Sequence, residues 1–147
     1  MNTKIQIQNH MECLGYEVLT QDDKPNSIMC SKEIAPLLLL SWTDSYIMFY
    51  AQYEINSIAK SNEANFLSFI NKLNSKASST RYFITETKEI AFEGLYFGEY
   101  DKKIFSNFVS HWEYDVIDRL FNEDDTNLYL GDPNQVVADS NLNGVWA

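Results

Sequence analysis

At 147 residues, with 45% hydrophobic and 14% aromatic side chains, the chain has the length of one domain and the composition of a packed core, which excludes a disordered or low-complexity segment. Its net charge of −10 is uneven: residues 1–84 carry eight acidic and seven basic side chains, residues 85–147 thirteen and four. With no basic patch to displace counterions from phosphates, direct nucleic-acid binding is not expected. A basic partner protein would meet a complementary surface.

Residues 3–14 read as a first helix, with Thr3 at its N-cap and Ile7, Met11 and Leu14 on one face. Gly15 supplies the left-handed stop. Residues 16–20 alternate and read as a short strand or an extended lead-in, and residues 21–26 as a loop. Strands follow at 27–31, 37–42 and 45–55, with Pro36 at the mouth of the second and a tight turn at Thr43 and Asp44. The third strand has two faces. Ile47, Phe49, Ala51, Tyr53 and Ile55 make an apolar face expected to pack under the next helix. Tyr46, Met48, Tyr50, Gln52 and Glu54 make the other.

That next helix opens at Ser61 or Asn62, and Phe66, Phe69, Ile70, Leu73 and Ala77 recur on one side of it. Residues 81–85 and 90–97 form a hairpin, in which Gly94 and Gly98 imply a bulge or a close backbone approach. Asp101 caps a last helix whose stripe of Ile104, Phe105, Phe108, Val109, Trp112, Val116 and Leu120 runs to about Phe121. Glu123, Asp124 and Asp125 oppose the helix dipole there, so fraying is expected. The chain divides into one α+β domain over residues 1–122 and an acidic, polar C-terminal tail over 123–147, with Leu128, Tyr129, Leu130 and Trp146 available as anchors.

Chemical motifs are sparse. The segment from Asp139 through Ser140, Asn141 and Asn143 to Gly144 matches the opening of a calcium loop, but the chain ends before the required twelfth ligand. His10 and Cys13 are three apart on the first helix without an orienting residue, and a partly buried helix face accounts for both. His111 has no second His or Cys at ligand spacing, and no glycine-rich phosphate loop is present. No cofactor and no enzymatic activity are expected. Cys13 and Cys30 lack paired spacing and read as free thiols of a reducing compartment. Residues 1–15 hold no long apolar run, so no secretory signal is expected; the apolar run at 37–40 is too short to span a bilayer, so no membrane association is expected, and the location is read as cytoplasmic.

The order helix, three strands, helix, two strands, helix is similar to that of the class I type III secretion chaperones. Within that fold the chain resembles the YbjN family of bacterial proteins. The first helix ending in Leu14-Gly15-Tyr16 carries this, with the run Phe66, Leu67, Phe69, Ile70, Asn71, Leu73, Asn74 and the strand that follows it. The resemblance covers residues 3–122. It implies an antiparallel sheet with flanking helices, no enzyme activity, and a chaperone-like or regulatory module that holds an extended segment of a protein client. It admits a homodimer. The acidity supports a second reading, an inhibitor or immunity-type protein that neutralises a basic partner, whose binding would fall steeply with salt. Tyr46, Met48 and Tyr50 are the candidate contact residues, because a half-solvated antiparallel strand would carry polar groups there. Their cover is the last helix, the tail, a second subunit or a client.

Overall fold

A computed structural model describes residues 2–33 and 35–130. Its first helix, α1 (Thr3–Cys13), is capped by Asn2, whose side chain accepts from the Lys4 N–H at 2.8 Å, and it stops before Gly15 at φ +92°. Four strands follow: β1 (Glu17–Leu19), β2 (Ser27–Ser31), β3 (Leu38–Trp42) and β4 (Tyr46–Glu54). Helices α2 (Ser57–Ser61) and α3 (Glu63–Lys76) precede β5 (Arg81–Ile84) and β6 (Glu89–Phe97). A last helical run comprises α4 (Lys102–Glu113), a π-helical segment (Tyr114–Arg119), α5 (Leu120–Asn122) and α6 (Thr126–Leu130). The fold is α+β as expected. Of the two readings of the alternating lead-in the strand forms, as β1, whereas α2, capped by Asn56, and α6 were not legible.

All strand pairs are antiparallel, in the order β1-β2-β3-β4-β6-β5. The register aligns Val18, Cys30, Leu38 and Ala51 on one face, with Leu40 and Phe49 beside Gly94, and Tyr53 beside Ile90. Helices α1, α3 and α4 all contribute to the core that this face builds. Phe49 meets Phe105, Phe108 and Trp112 of α4, with ring centroids 4.8–5.6 Å apart, and Tyr53 meets Phe121. The centre of β4 therefore packs under the last helix rather than the central one. Gly94 permits this approach: a Cβ there would lie 3.3 Å from Phe108, from Trp112 and from the Ser79 carbonyl. The strand pairs continuously through that point, so the glycine marks close approach and not a bulge.

A fully buried carboxylate, Asp115, closes the space between α3, β5 and the π segment. It accepts from the N–H groups of Ser78 and Ser79 at 2.9–3.1 Å and from the Ser78 hydroxyl, and Arg119 lies 3.8 Å away. The Tyr82 hydroxyl donates to the Asp115 carbonyl at 2.9 Å. Backbone donors and a cation together replace the lost solvation of a buried charge.

The acidic end of the last helix is paired rather than bare. Glu123 receives Lys72 and Lys76 of α3, each at 3.1 Å, so two lysines offset the charge that opposes the dipole. The chain then packs back on the body. Tyr129 is buried against Phe66 and Phe69, and its carbonyl accepts from the Asn56 N–H at 2.8 Å. Residues 123–130, placed with the tail from sequence, thus include the anchors Tyr129 and Leu130. Trp146 and the segment Asp139–Gly144 lie outside the described residues.

Two outcomes follow from this packing. Asp115→Ala leaves the Ser78 and Ser79 donors without their acceptor and Arg119 without its counter-charge, and should cost about 2–4 kcal/mol in denaturant titration, with Asp115→Asn intermediate. A chain ended at residue 122 should keep a cooperative transition yet be less stable than one ended at residue 130, by about 2–4 kcal/mol, through loss of Tyr129 and Leu130.

Candidate protein-interaction face

Because the sheet's helices share one side, the alternate residues of every strand form a face that no described helix covers. Cross-strand register sets its rows. Leu19, Met29, Leu39 and Tyr50 lie side by side, ending at Glu93 and Arg81. Ser41, Met48 and Leu95 form the next row, and Tyr46 and Phe97 the one after. Tyr46, Met48 and Tyr50, the candidate residues from sequence, are half-buried and adjacent on this face. Leu19 is 52% exposed, Leu95 37% and Phe97 73%. The Tyr46 and Phe97 rings stand edge to face, 6.5 Å apart.

The polar groups of this face are mostly engaged. The Tyr50 hydroxyl donates to Gln52 at 2.9 Å, and Arg81 pairs with Glu93 at 2.7 Å. Burial, then Glu89 and Glu93, push the Tyr50 phenol above its ordinary pKa, so it is a neutral donor throughout the physiological range. The surface offers apolar area and aromatic edges but no paired general acid and base, which suits contact rather than chemistry. Leu95 and Phe97 were not singled out from sequence. Their signal is alternation: two large apolar residues fall out of phase with the core positions Phe92, Gly94 and Tyr96.

A second feature is a cavity of about 470 Å3 between α1 and the start of α4, bordered by His10, Cys13, Tyr100, Lys102 and Ser106. His10 Nδ1 lies 2.6 Å from the Tyr100 hydroxyl and Nε2 lies 2.9 Å from the Ser106 hydroxyl. The ring also packs edge to face on Phe105. His10 and Cys13 are therefore not a dyad: both ring nitrogens are committed to α4 and the segment before it. Cys13 is exposed and Cys30 buried, and both are free. Burial, with Glu12 nearby, pushes the Cys30 thiol up to about 12, which makes it unreactive. His111 Nδ1 lies 3.4 Å from the Ser78 hydroxyl. Among the described residues no group of three or more metal-ligating side chains converges, and no helix is long and apolar enough to cross a membrane.

A one-sided antiparallel sheet with a first helix at one end, a central helix at the other and a last helix across the middle is the architecture of the type III secretion chaperones. More specifically, the fold is YbjN-like. The chain is similar to the crystal structure of YbjN, a candidate transcription regulator from E. coli, with a TM-score of 0.60 and 12% identity over 77% of this chain and 84% of that one. It is also similar to the heterodimeric ExoU-SpcU complex of the type III secretion system of Pseudomonas aeruginosa, with a TM-score of 0.50 and 11% identity over 71% and 87%. No protein-family model and no curated protein matches the sequence.

The His10 contacts give a pH dependence of known sign. Burial, and then Lys102, lower its pKa below the ordinary 6.5. The unfolded chain takes up the proton first as pH falls. Stability from neutral His10 is thus fully present above about pH 6.5 and is lost as pH drops through the lower folded value. Melting temperature should decline between pH 7.5 and 5.5, and His10→Gln should flatten that decline.

Proposed function

We propose that the protein is a non-catalytic protein-binding module, chaperone-like or regulatory, that engages a client on the helix-free face of its sheet. One observation carries this reading: Tyr46, Met48 and Tyr50 adjoin exposed Leu95 and Phe97 on a face that no described helix covers. Tyr and Met supply adaptable apolar contact. The shared fold supports the reading, since the similar SpcU structure is a complex with a protein. The protein itself is expected to act in the cytoplasm.

The test is retrieval of a partner from lysate of the source organism with the wild-type chain and with Tyr50→Glu. A charge at Tyr50 should weaken retrieval at least about tenfold while leaving the melting temperature within about 3 °C. Unchanged retrieval would remove this face from consideration, and an unfolded variant would make it internal core. Apolar contact of this kind should persist in 0.5 M salt, a concentration chosen to shorten screening to roughly 4 Å. Loss of binding there would favour the acidic-inhibitor reading instead.

A further inference from the structure

The cavity between α1 and the start of α4 encloses about 470 Å3, a size that holds a small molecule. Its walls are mostly apolar, with Leu14, Cys13 and Tyr100 among them. Both helices pack on the covered side of the sheet, so the cavity is separate from the face that carries Tyr46, Met48 and Tyr50. Lys102 is the one charged side chain that borders it. In a chain of net charge −10, no described carboxylate forms an ion pair with Lys102. The carboxylate of Asp101, its neighbour in sequence, accepts instead from the Ile104 N–H at 3.0 Å. Burial and then the Lys102 charge depress the His10 pKa, so the ammonium lies within electrostatic reach of the ring.

The polar part of the wall holds one hydrogen more than its internal contacts use. Neutral His10 brings one N–H, and Tyr100 and Ser106 bring one O–H each. These serve two contacts, Nδ1 with the Tyr100 hydroxyl at 2.6 Å and Nε2 with the Ser106 hydroxyl at 2.9 Å. If Nε2 carries the proton, it donates to Ser106 while Tyr100 donates to Nδ1, and the Ser106 O–H is left over. If Nδ1 carries it, Ser106 donates to Nε2, and the Tyr100 O–H is left over. Neither hydroxyl has a further partner among the described residues. Burial, followed by Tyr96, Asp101 and Cys13, raises the Tyr100 phenol and keeps its proton in place. In either tautomer, one O–H bordering the cavity is free to donate.

We infer that this cavity is a binding site for a small aromatic carboxylate. One carboxylate oxygen accepts from the free hydroxyl and the other meets the Lys102 ammonium, charge-assisted contacts that replace part of the anion's lost hydration. A single cation matches a monoanion, whereas a dianionic phosphate would keep one charge uncompensated. The apolar walls take the ring. His10, Tyr100 and Phe105 already stand edge to face with centroids 4.9–5.7 Å apart, a cluster that a further ring extends better than an aliphatic chain does.

Phenylacetate is the probe. In NMR titration of the full chain it should bind with a Kd of about 1 mM or tighter. Phenylacetamide, which keeps the shape and loses the charge, and phenethylamine, which reverses the charge, should each bind at least about tenfold more weakly. Hexanoate, which keeps the charge and loses the ring, should bind at least about threefold more weakly. Lys102→Gln should lower phenylacetate affinity at least about tenfold with circular dichroism unchanged. Lys103→Gln, the same change one residue on, should leave the affinity within about twofold. So should Tyr50→Glu, which separates this site from the client face. Cys13 supplies a second readout, because it is exposed and borders the cavity while Cys30 is buried. Phenylacetate at ten times its Kd should slow alkylation of Cys13 about tenfold. No binding up to about 10 mM, equal affinity for phenylacetamide or hexanoate, full affinity in Lys102→Gln, or a Cys13 that phenylacetate does not protect would each overturn the proposal.

Discussion

The buried carboxylate of Asp115 decides where the sheet stops. Its oxygens draw the Ser78 and Ser79 N–H groups toward the last helix, on the side where Gly94 already admits the Ser79 carbonyl. The chain leaving α3 is therefore held on the helical side and enters the sheet only at Arg81. One electrostatic requirement, donors for an ion with no exposure to water, shortens β5 to four residues beside a nine-residue β6. The unpaired end of β6 is a consequence of how the core is closed. The π-helical turn belongs to the same arrangement, because it contains both Asp115 and Arg119 and its Asp115 carbonyl receives the Tyr82 hydroxyl.

Periodicity made most of the architecture legible. The alternation from Ile47 to Tyr53 marks a strand with one core face, and the spacing of Phe66, Phe69, Ile70 and Leu73 marks a helix, because burial repeats with the backbone's own period. Pairwise polar closure left no such trace. Nothing near Asp115 in sequence announces Ser78, 37 residues away, and nothing near Glu123 announces Lys72 and Lys76. The acidic run after Phe121 therefore looked like a disrupted terminus, although its first carboxylate is an anchor. The five-residue α2 was missed because it is too short to show a period. On the candidate face, Tyr46, Met48 and Tyr50 were visible as apolar residues on the polar phase of one strand. Leu95 belongs to the same patch only through its register opposite Met48, and register across a helix-containing connection is not written in local sequence.

Choice of helical face also depended on long-range packing. The apolar side of β4 fits under any amphipathic helix, so sequence could not distinguish the central helix from the last. The aromatic set decides it: Phe105, Phe108 and Trp112 fill the space above Phe49, and Gly94 provides the clearance for two of them. The central helix instead turns Phe66 and Phe69 toward Tyr129, and its Asn74 toward the outer edge of β5. Two helices that look interchangeable by amphipathicity thus have separate tasks, one covering the sheet and one sealing its margin.

The helix-free face is graded along β4. Tyr46 with Phe97 occupies one end, Met48 with Leu95 and then Tyr50 follow, and Gln52 leads to Glu54 opposite Glu89. Glu93 is balanced by Arg81, but the facing pair Glu54 and Glu89 concentrates negative charge at the far end. Apolar contact and charge are therefore separated along the strand axis rather than mixed. Desolvation favours the aromatic end as the source of affinity, since exposed carboxylates in high dielectric contribute little binding energy of their own. On the proposed reading, the carboxylate end would act on encounter and orientation, repelling acidic segments and aligning basic ones. An extended segment with apolar residues at one end and a basic residue at the other would match this gradient in only one direction, so the same charge that raises the solubility of the chain also gives its open face a polarity.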